Sequence, residues 1–161
     1  MYTLYFSPGS CSLIVNCLLE ELEVPFDLKR VDFESRQHQR EDYRKLNPKG
    51  KVPVLVTPQG PLTECMAILE HACDRHDAGR RWLPEPGSWE RARALERVAT
   101  RSGGASPDVS DLYFMVVARW GRWLEDSALR MPNIERFFRR MTERPAVKRA
   151  MQREGIEPSG S

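Results

Sequence analysis

The sequence lacks any long apolar run: stretches such as 52–56 and 112–118 fall far short of the ~20 residues that cross a bilayer. No membrane anchor is expected. It also lacks, at its start, a basic segment followed by an apolar one and a small-residue cleavage site, so a cytoplasmic protein is expected. Neither sign of charge is in excess. The 25 Lys and Arg stand against 23 Asp and Glu, with the signs interleaved through 90–97 and 135–140. Binding a phosphate backbone calls for a patch of one sign, so nucleic acid is not expected as the main partner. The densest basic run, 136–140 with Phe137 and Phe138 inside it, reads as a solvated helix face beside a core face. Cysteine is scarce, at Cys11, Cys17, Cys65 and Cys73, with no Cys-x-x-Cys pair and no histidine spaced as a zinc partner. A metal site and a thioredoxin-type reductase are both disfavoured. In a reducing compartment the four are free thiols, distinguished by exposure and activation.

What is present suits a soluble globular chain: 40% hydrophobic and 30% charged residues, in a length that holds one ordinary core or two small domains. The β-prone run 3–6, the breaker Ser7-Pro8-Gly9-Ser10 and apolar Leu13, Ile14, Cys17, Leu18 and Leu22 at helical spacing read as strand, loop and helix. Val24-Pro25 ends that helix, and 26–31 reads as a second strand, parallel to the first through a right-handed crossover. The polar run 34–45, anchored by Tyr43 and Leu46, is expected as a solvent-facing helix or irregular connector. Residues 52–56 are strongly β, and Thr57-Pro58-Gln59-Gly60 is a tight turn leading to Leu62, which predicts a hairpin. A helix follows with Met66, Ala67, Ile68, Leu69, Ala72 and Cys73 on one broad face and Thr63 as its expected N-cap.

Residues 77–87, rich in Gly and Pro around the apolar plug Trp82-Leu83, read as a linker between halves 1–76 and 88–161. The second half reads as all helix: 88 to about 101, 108 to about 126, 133–143, and 145–154 with Pro145 at a first turn and Gly155 as a cap.

Pro53 stands inside an otherwise continuous strand, where proline belongs to an edge or to a special geometry. Its surroundings decide between them. Asn47-Pro48-Lys49-Gly50-Lys51-Val52-Pro53-Val54-Leu55 resembles the segment before and through the third strand of glutathione S-transferases, where a cis-proline bares the backbone of the preceding residue. Ser7-Pro8-Gly9-Ser10-Cys11-Ser12-Leu13 resembles the first loop of bacterial beta-class members, and Thr63-Glu64-Cys65-Met66-Ala67-Ile68 resembles their glutamate–serine helix start. Asp108-Val109-Ser110-Asp111 resembles the helix-capping box of the family, and the segments from Pro132 and from Arg144 its last helices. The sequence departs from the family between Thr100 and Pro107, where Arg101-Ser102-Gly103-Gly104-Ala105-Ser106 replaces much of two helices. The resemblance implies a thioredoxin-like α/β domain (βαβ-ββα) followed by an all-α domain shorter than the family norm.

It also implies glutathione as co-substrate, a small electrophile or disulfide as second substrate, and a homodimer. Val52 beside Pro53 would pair with the cysteinyl unit of glutathione. Glu64 would meet the γ-glutamyl ammonium, and amides at the Cys65 helix start its carboxylate. His38 and Lys51 resemble holders of the glycine carboxylate; as surface residues in polar runs they have an equally simple structural role. Cys11, at a helix start where amides favour thiolate, is the implied catalytic thiol, and Ser12 the nearest hydroxyl donor. Phe6 stands where beta-class proteins often have tyrosine. Cys65 replaces serine and is expected, with Cys11, to be reactive across the bound glutathione, while Cys17 and Cys73 are expected in the core. Tyr113, Arg119 and Trp120 are expected near the site. Two functions remain open on the sequence: a transferase or thiol-exchange enzyme acting through Cys11, or a glutathione-binding or fold-only protein with little transferase activity.

Overall fold

The structure, a computed structural model, describes residues 1–100, 107–123 and 127–157. The first half runs β1 (Tyr2–Phe6), α1 (Ser12–Glu21), β2 (Phe26–Arg30), α2 (Glu41–Leu46), β3 (Val54–Thr57), β4 (Gly60–Thr63) and α3 (Cys65–His76). The second runs α4 (Trp89–Thr100), α5 (Val109–Trp120), α6 (Pro132–Thr142) and α7 (Pro145–Glu154).

The sheet has the order β2-β1-β3-β4, with β1 and β2 parallel and the other pairs antiparallel. This is the expected thioredoxin-like arrangement. Tyr2, Leu4 and Phe6 alternate inward along β1, as a half-buried strand requires. α1 is buried continuously from Ser12 to Leu19. Such all-round burial arises because α1 touches the sheet, α3, α5 and α7. It ends with Glu23 in a left-handed conformation (φ 54°) and the Val24 N–H bonded back to the Leu19 carbonyl, which closes the last turn before Pro25.

The apolar core runs without interruption from β1 and α1 into α5 and α7. Trp82 and Leu83 plug it from the connecting segment, where the Asp77 carboxylate accepts the N–H groups of Arg81, Trp82 and Leu83 at 3.1, 2.6 and 3.3 Å. Arg91 on α4 grips Asp74 on α3 through two bonds of 2.9 and 3.1 Å, and Glu21 on α1 takes Arg144 at 2.5 Å and Arg81 at 3.1 Å. At the start of α5, Asp108 accepts from the Ser110 amide while Asp111 accepts from the Asp108 amide, a reciprocal capping box.

Three boundaries differ from the sequence reading. β3 begins at Val54 rather than at 52, so Val52 and Pro53 precede the strand, joined by a cis peptide bond. Thr63 does not cap α3: it pairs with Val54 as the last residue of β4, and Glu64 turns the chain with φ 72° and no side-chain cap bond. The hairpin ladder claims the residue that a helix cap would need. The polar run after β2 keeps to its expectation, with a short 3₁₀ turn, Gln37–Gln39, and then α2. α5 ends at Trp120 instead of near 126, where Gly121 begins a 3₁₀ turn. The expected break at Ser102-Gly103-Gly104 lies outside the described residues.

Candidate active site

The start of α1, the loop before β3 and the start of α3 converge on a cleft of about 230 Å³. Cys11, Lys51, Val52, Pro53, Glu64 and Cys65 line it, with Asn47 at its base and Met66 and Tyr113 on the remaining wall. Among the described residues a larger hollow, about 600 Å³, lies near Pro25, Phe26 and Arg153. Its arginines are committed to Glu20 and it contains no nucleophile, so the smaller cleft carries the chemistry.

Cys11 is half-buried at the N-cap of α1. Its thiol points at the Val52 carbonyl, 3.3 Å away. The Cys65 thiol, opening α3 across the cleft, donates to the Cys11 carbonyl at 3.6 Å. Once ionised, the Cys11 sulfur gains the neighbouring Cys65 thiol as a donor, which outweighs burial and, with the amides of Cys11 and Ser12, brings the Cys11 pKa down from 9.0 to about 7. The same bond, together with burial, pushes the Cys65 thiol up. Cys17 and Cys73 are buried in the core, and desolvation raises both, Cys73 to about 12. The structure therefore has one activated thiol, not two. Cys65, expected from the sequence to be reactive alongside Cys11, is 8% exposed and is the less acidic of the two.

The loop that presents Val52 is fixed from behind. Tyr43 Oη and Asn47 Nδ2 both donate to the Lys51 carbonyl, at 2.8 and 2.7 Å. Gly50 has φ 62°, and a Cβ there would lie 2.8 Å from the His38 carbonyl, so only glycine fits the turn. Glu64 stands at the rim in an ion pair with Lys49 of 2.7 Å, whose hydrogen bond holds its carboxyl below the ordinary range. Lys51 is exposed at the same rim.

Two expected contributors lie elsewhere. The Ser12 side chain is fully buried in the β1–α1 loop, bonded to Ser10 Oγ at 2.7 Å and to the Ser7 carbonyl at 3.2 Å. It does not line the cleft, because the tight Ser7–Ser10 turn needs its hydroxyl. His38 stacks on Phe33 with ring centres 4.2 Å apart and is also absent from the lining; its carbonyl lies closest to the Gly50 turn. Tyr113 reaches the cleft from α5, whereas Trp120 donates to the Gly9 carbonyl at 2.8 Å and Arg119 packs on Gly9, behind the Cys11 loop.

Residues 1–74 match the family profile described as glutathione S-transferase, N-terminal domain. Over its whole length the chain is similar to a bacterial beta-class glutathione S-transferase of Sphingomonas chungbukensis, with a TM-score of 0.86 and 26% identity over 96% of this chain and 100% of that one. Residues 1–74 belong to the glutathione S-transferase N-terminal domain family. A glutathione S-transferase of a sphingomonad, solved in complex with glutathione, matches with a TM-score of 0.83 at 26% identity over the same shares. A glutathione S-transferase of Escherichia coli O157:H7 is 27% identical, with 96% of this chain and 99% of that protein covered. That alignment takes 200 positions against the 161 residues of this chain, so the longer family member carries residues with no counterpart here.

Within this family site, Tyr43, Asn47 and Lys49 are the residues that sequence reasoning missed. Tyr43 was legible only as an apolar anchor; its hydroxyl, eight residues from its partner, gave no pattern. Asn47-Pro48-Lys49-Gly50 signals a turn, but not which side chains face the cleft.

Proposed function

We propose that this chain is a glutathione transferase that binds the tripeptide in the Cys11–Val52–Glu64 cleft. The observation that carries the reading is the meeting of an acidified thiol, a backbone edge outside the sheet and a rim carboxylate in one hollow. The cysteinyl unit pairs with the Val52 backbone, the γ-glutamyl ammonium takes Glu64 in place of Lys49, and the γ-glutamyl carboxylate meets the amides that open α3. Lys51 holds the glycine carboxylate. His38, on its Phe33 stack, supports the Gly50 turn through its backbone.

Two reactions fit. Glutathione thiolate attacks an electrophilic carbon held against Tyr113 and Met66, forming a thioether as the leaving group departs. Alternatively, Cys11 thiolate attacks a glutathione-containing disulfide, forming Cys11–S–S–glutathione and releasing the other thiol. The relatives, named as transferases along the full length of the chain, favour an enzyme over a fold-only protein. A cytoplasmic homodimer engaged in detoxification accords with the same relationship.

Calorimetry tests the site. Glu64→Ala is expected to keep the fold and to weaken glutathione binding by about 1.5–3 kcal/mol, as loss of a charge-assisted bond does. An unchanged dissociation constant would remove Glu64 from the site. Turnover of a dinitrohalobenzene at saturating glutathione tests the transfer step, and its absence together with absent thiol exchange would refute the enzyme.

A further inference from the structure

We propose that Cys65 is the resolving thiol for Cys11: it displaces glutathione from a Cys11–glutathione mixed disulfide and leaves an intramolecular Cys11–Cys65 disulfide, which free glutathione reopens. The proposal rests on the reading of Cys11 as the glutathione-reactive thiol. It adds a second cysteine, distant in sequence, to a chain without any Cys-x-x-Cys pair.

Geometry carries the argument. α1 and α3 begin on opposite sides of one cleft, and each places a cysteine in its first turn, where unpaired amides stabilise thiolate. The Cys65 sulfur lies 3.6 Å from the Cys11 carbonyl, and both cysteines line the same cleft. Of the three buried cysteines only Cys65 lines the cleft; Cys17 and Cys73 do not. A small buried hydrophobe would serve packing in that place, but it would not face the sulfur on which a mixed disulfide forms.

The steps balance. Oxidised glutathione, or a glutathione mixed disulfide of another thiol, is attacked by Cys11 thiolate, giving Cys11–S–S–glutathione and one released thiolate. Cys65 then loses its proton to solvent and attacks the Cys11 sulfur; the Cys11–glutathione S–S bond breaks, the Cys11–Cys65 bond forms and glutathione thiolate leaves. One glutathione thiolate attacks the Cys11 sulfur of the new disulfide, regenerating the mixed disulfide and freeing Cys65. A second attacks the glutathione sulfur of the mixed disulfide, releasing oxidised glutathione and Cys11 thiolate. Ionisation of Cys65 follows the cycle: its leading impediments include the hydrogen bond and charge of Cys11, both removed once Cys11 carries glutathione. The resting enzyme thus keeps one nucleophile, and the second becomes available when it is needed.

The test treats reduced full-length protein with oxidised glutathione, quenches in acid and reads intact mass and disulfide-linked peptides. Wild type is expected to lose two hydrogens through a Cys11–Cys65 cross-link and to retain less than about a tenth of the Cys11-glutathionyl protein that Cys65→Ser accumulates. Equal Cys11-glutathionyl in both would overturn the resolving role and leave glutathione chemistry at Cys11 intact. Neither adduct nor cross-link in either protein would overturn both readings, and a cross-link to Cys17 or Cys73 would overturn the assignment of Cys65. The wild-type measurement needs no variant, and Cys65→Ala provides a second one should the serine protein misfold.

Discussion

Cys11 illustrates how one side chain takes its reactivity from its neighbours. An isolated cysteine thiol has a pKa near 9.0, and burial at this depth would raise it, yet the donor provided by Cys65 reverses the sign and brings it to about 7. Alkylation of native protein across pH 5.5–9.5 is expected to show a single fast site, Cys11, with a rate midpoint near 7. Cys65→Ala removes the donor, so the midpoint is expected to rise by a unit or more; an unmoved midpoint would show that Cys65 does not set it. The sequence made Cys11 and Glu64 legible because each opens a recognisable helix start. Ser12 and His38 lie off the cleft lining for a physical reason. A hydroxyl in a tight turn serves the nearest backbone first, and an imidazole next to an exposed phenyl ring covers that ring.

At the scale of elements, alternation and helical spacing identified every strand and the major helices, because half-buried strands and amphipathic helices must pattern in those ways. Boundaries failed where two local demands met: Thr63 suits both a cap and a hairpin, and the ladder with Val54 prevails. The capping box at α5 was legible because both carboxylates stand at the spacing the motif needs. Asp108 there also takes Arg97 from α4, joining the two helices on either side of the undescribed segment. Asp108→Ala is expected to cost about 0.5–2 kcal/mol of stability, the usual loss of an N-cap. Chemical denaturation measures it, and a loss below about 0.3 kcal/mol would mean that α5 is held by packing alone.

For the whole molecule, Glu154 joins its distant parts. Its carboxylate, at the end of α7, accepts from Asn16 on α1 at 2.9 Å and from the Gly9 amide at 3.0 Å, with Arg119 of α5 nearby. Burial still dominates these partners and raises its pKa from 4.5 to about 7. The folded protein therefore holds a proton that the unfolded chain has released across that interval. The resulting stability is full below pH 4.5 and is lost as pH rises towards 7, at no more than about 1.4 kcal/mol per unit. Glu154→Gln cannot titrate, so the stability of wild type minus that of the variant is expected to fall between pH 5 and 7.5 in urea melts. A constant difference would show that Glu154 is charged throughout. The long-range packing behind this linkage also bears on how the chain is made. α1 leaves the ribosome more than a hundred residues before the helix that covers it, Pro145–Glu154. Throughout most of translation the nascent sheet and α1 wait with an apolar face uncovered, a natural client surface for a chaperone. A premature stop anywhere before α7 would release a chain in that state, fit for proteolysis instead of catalysis.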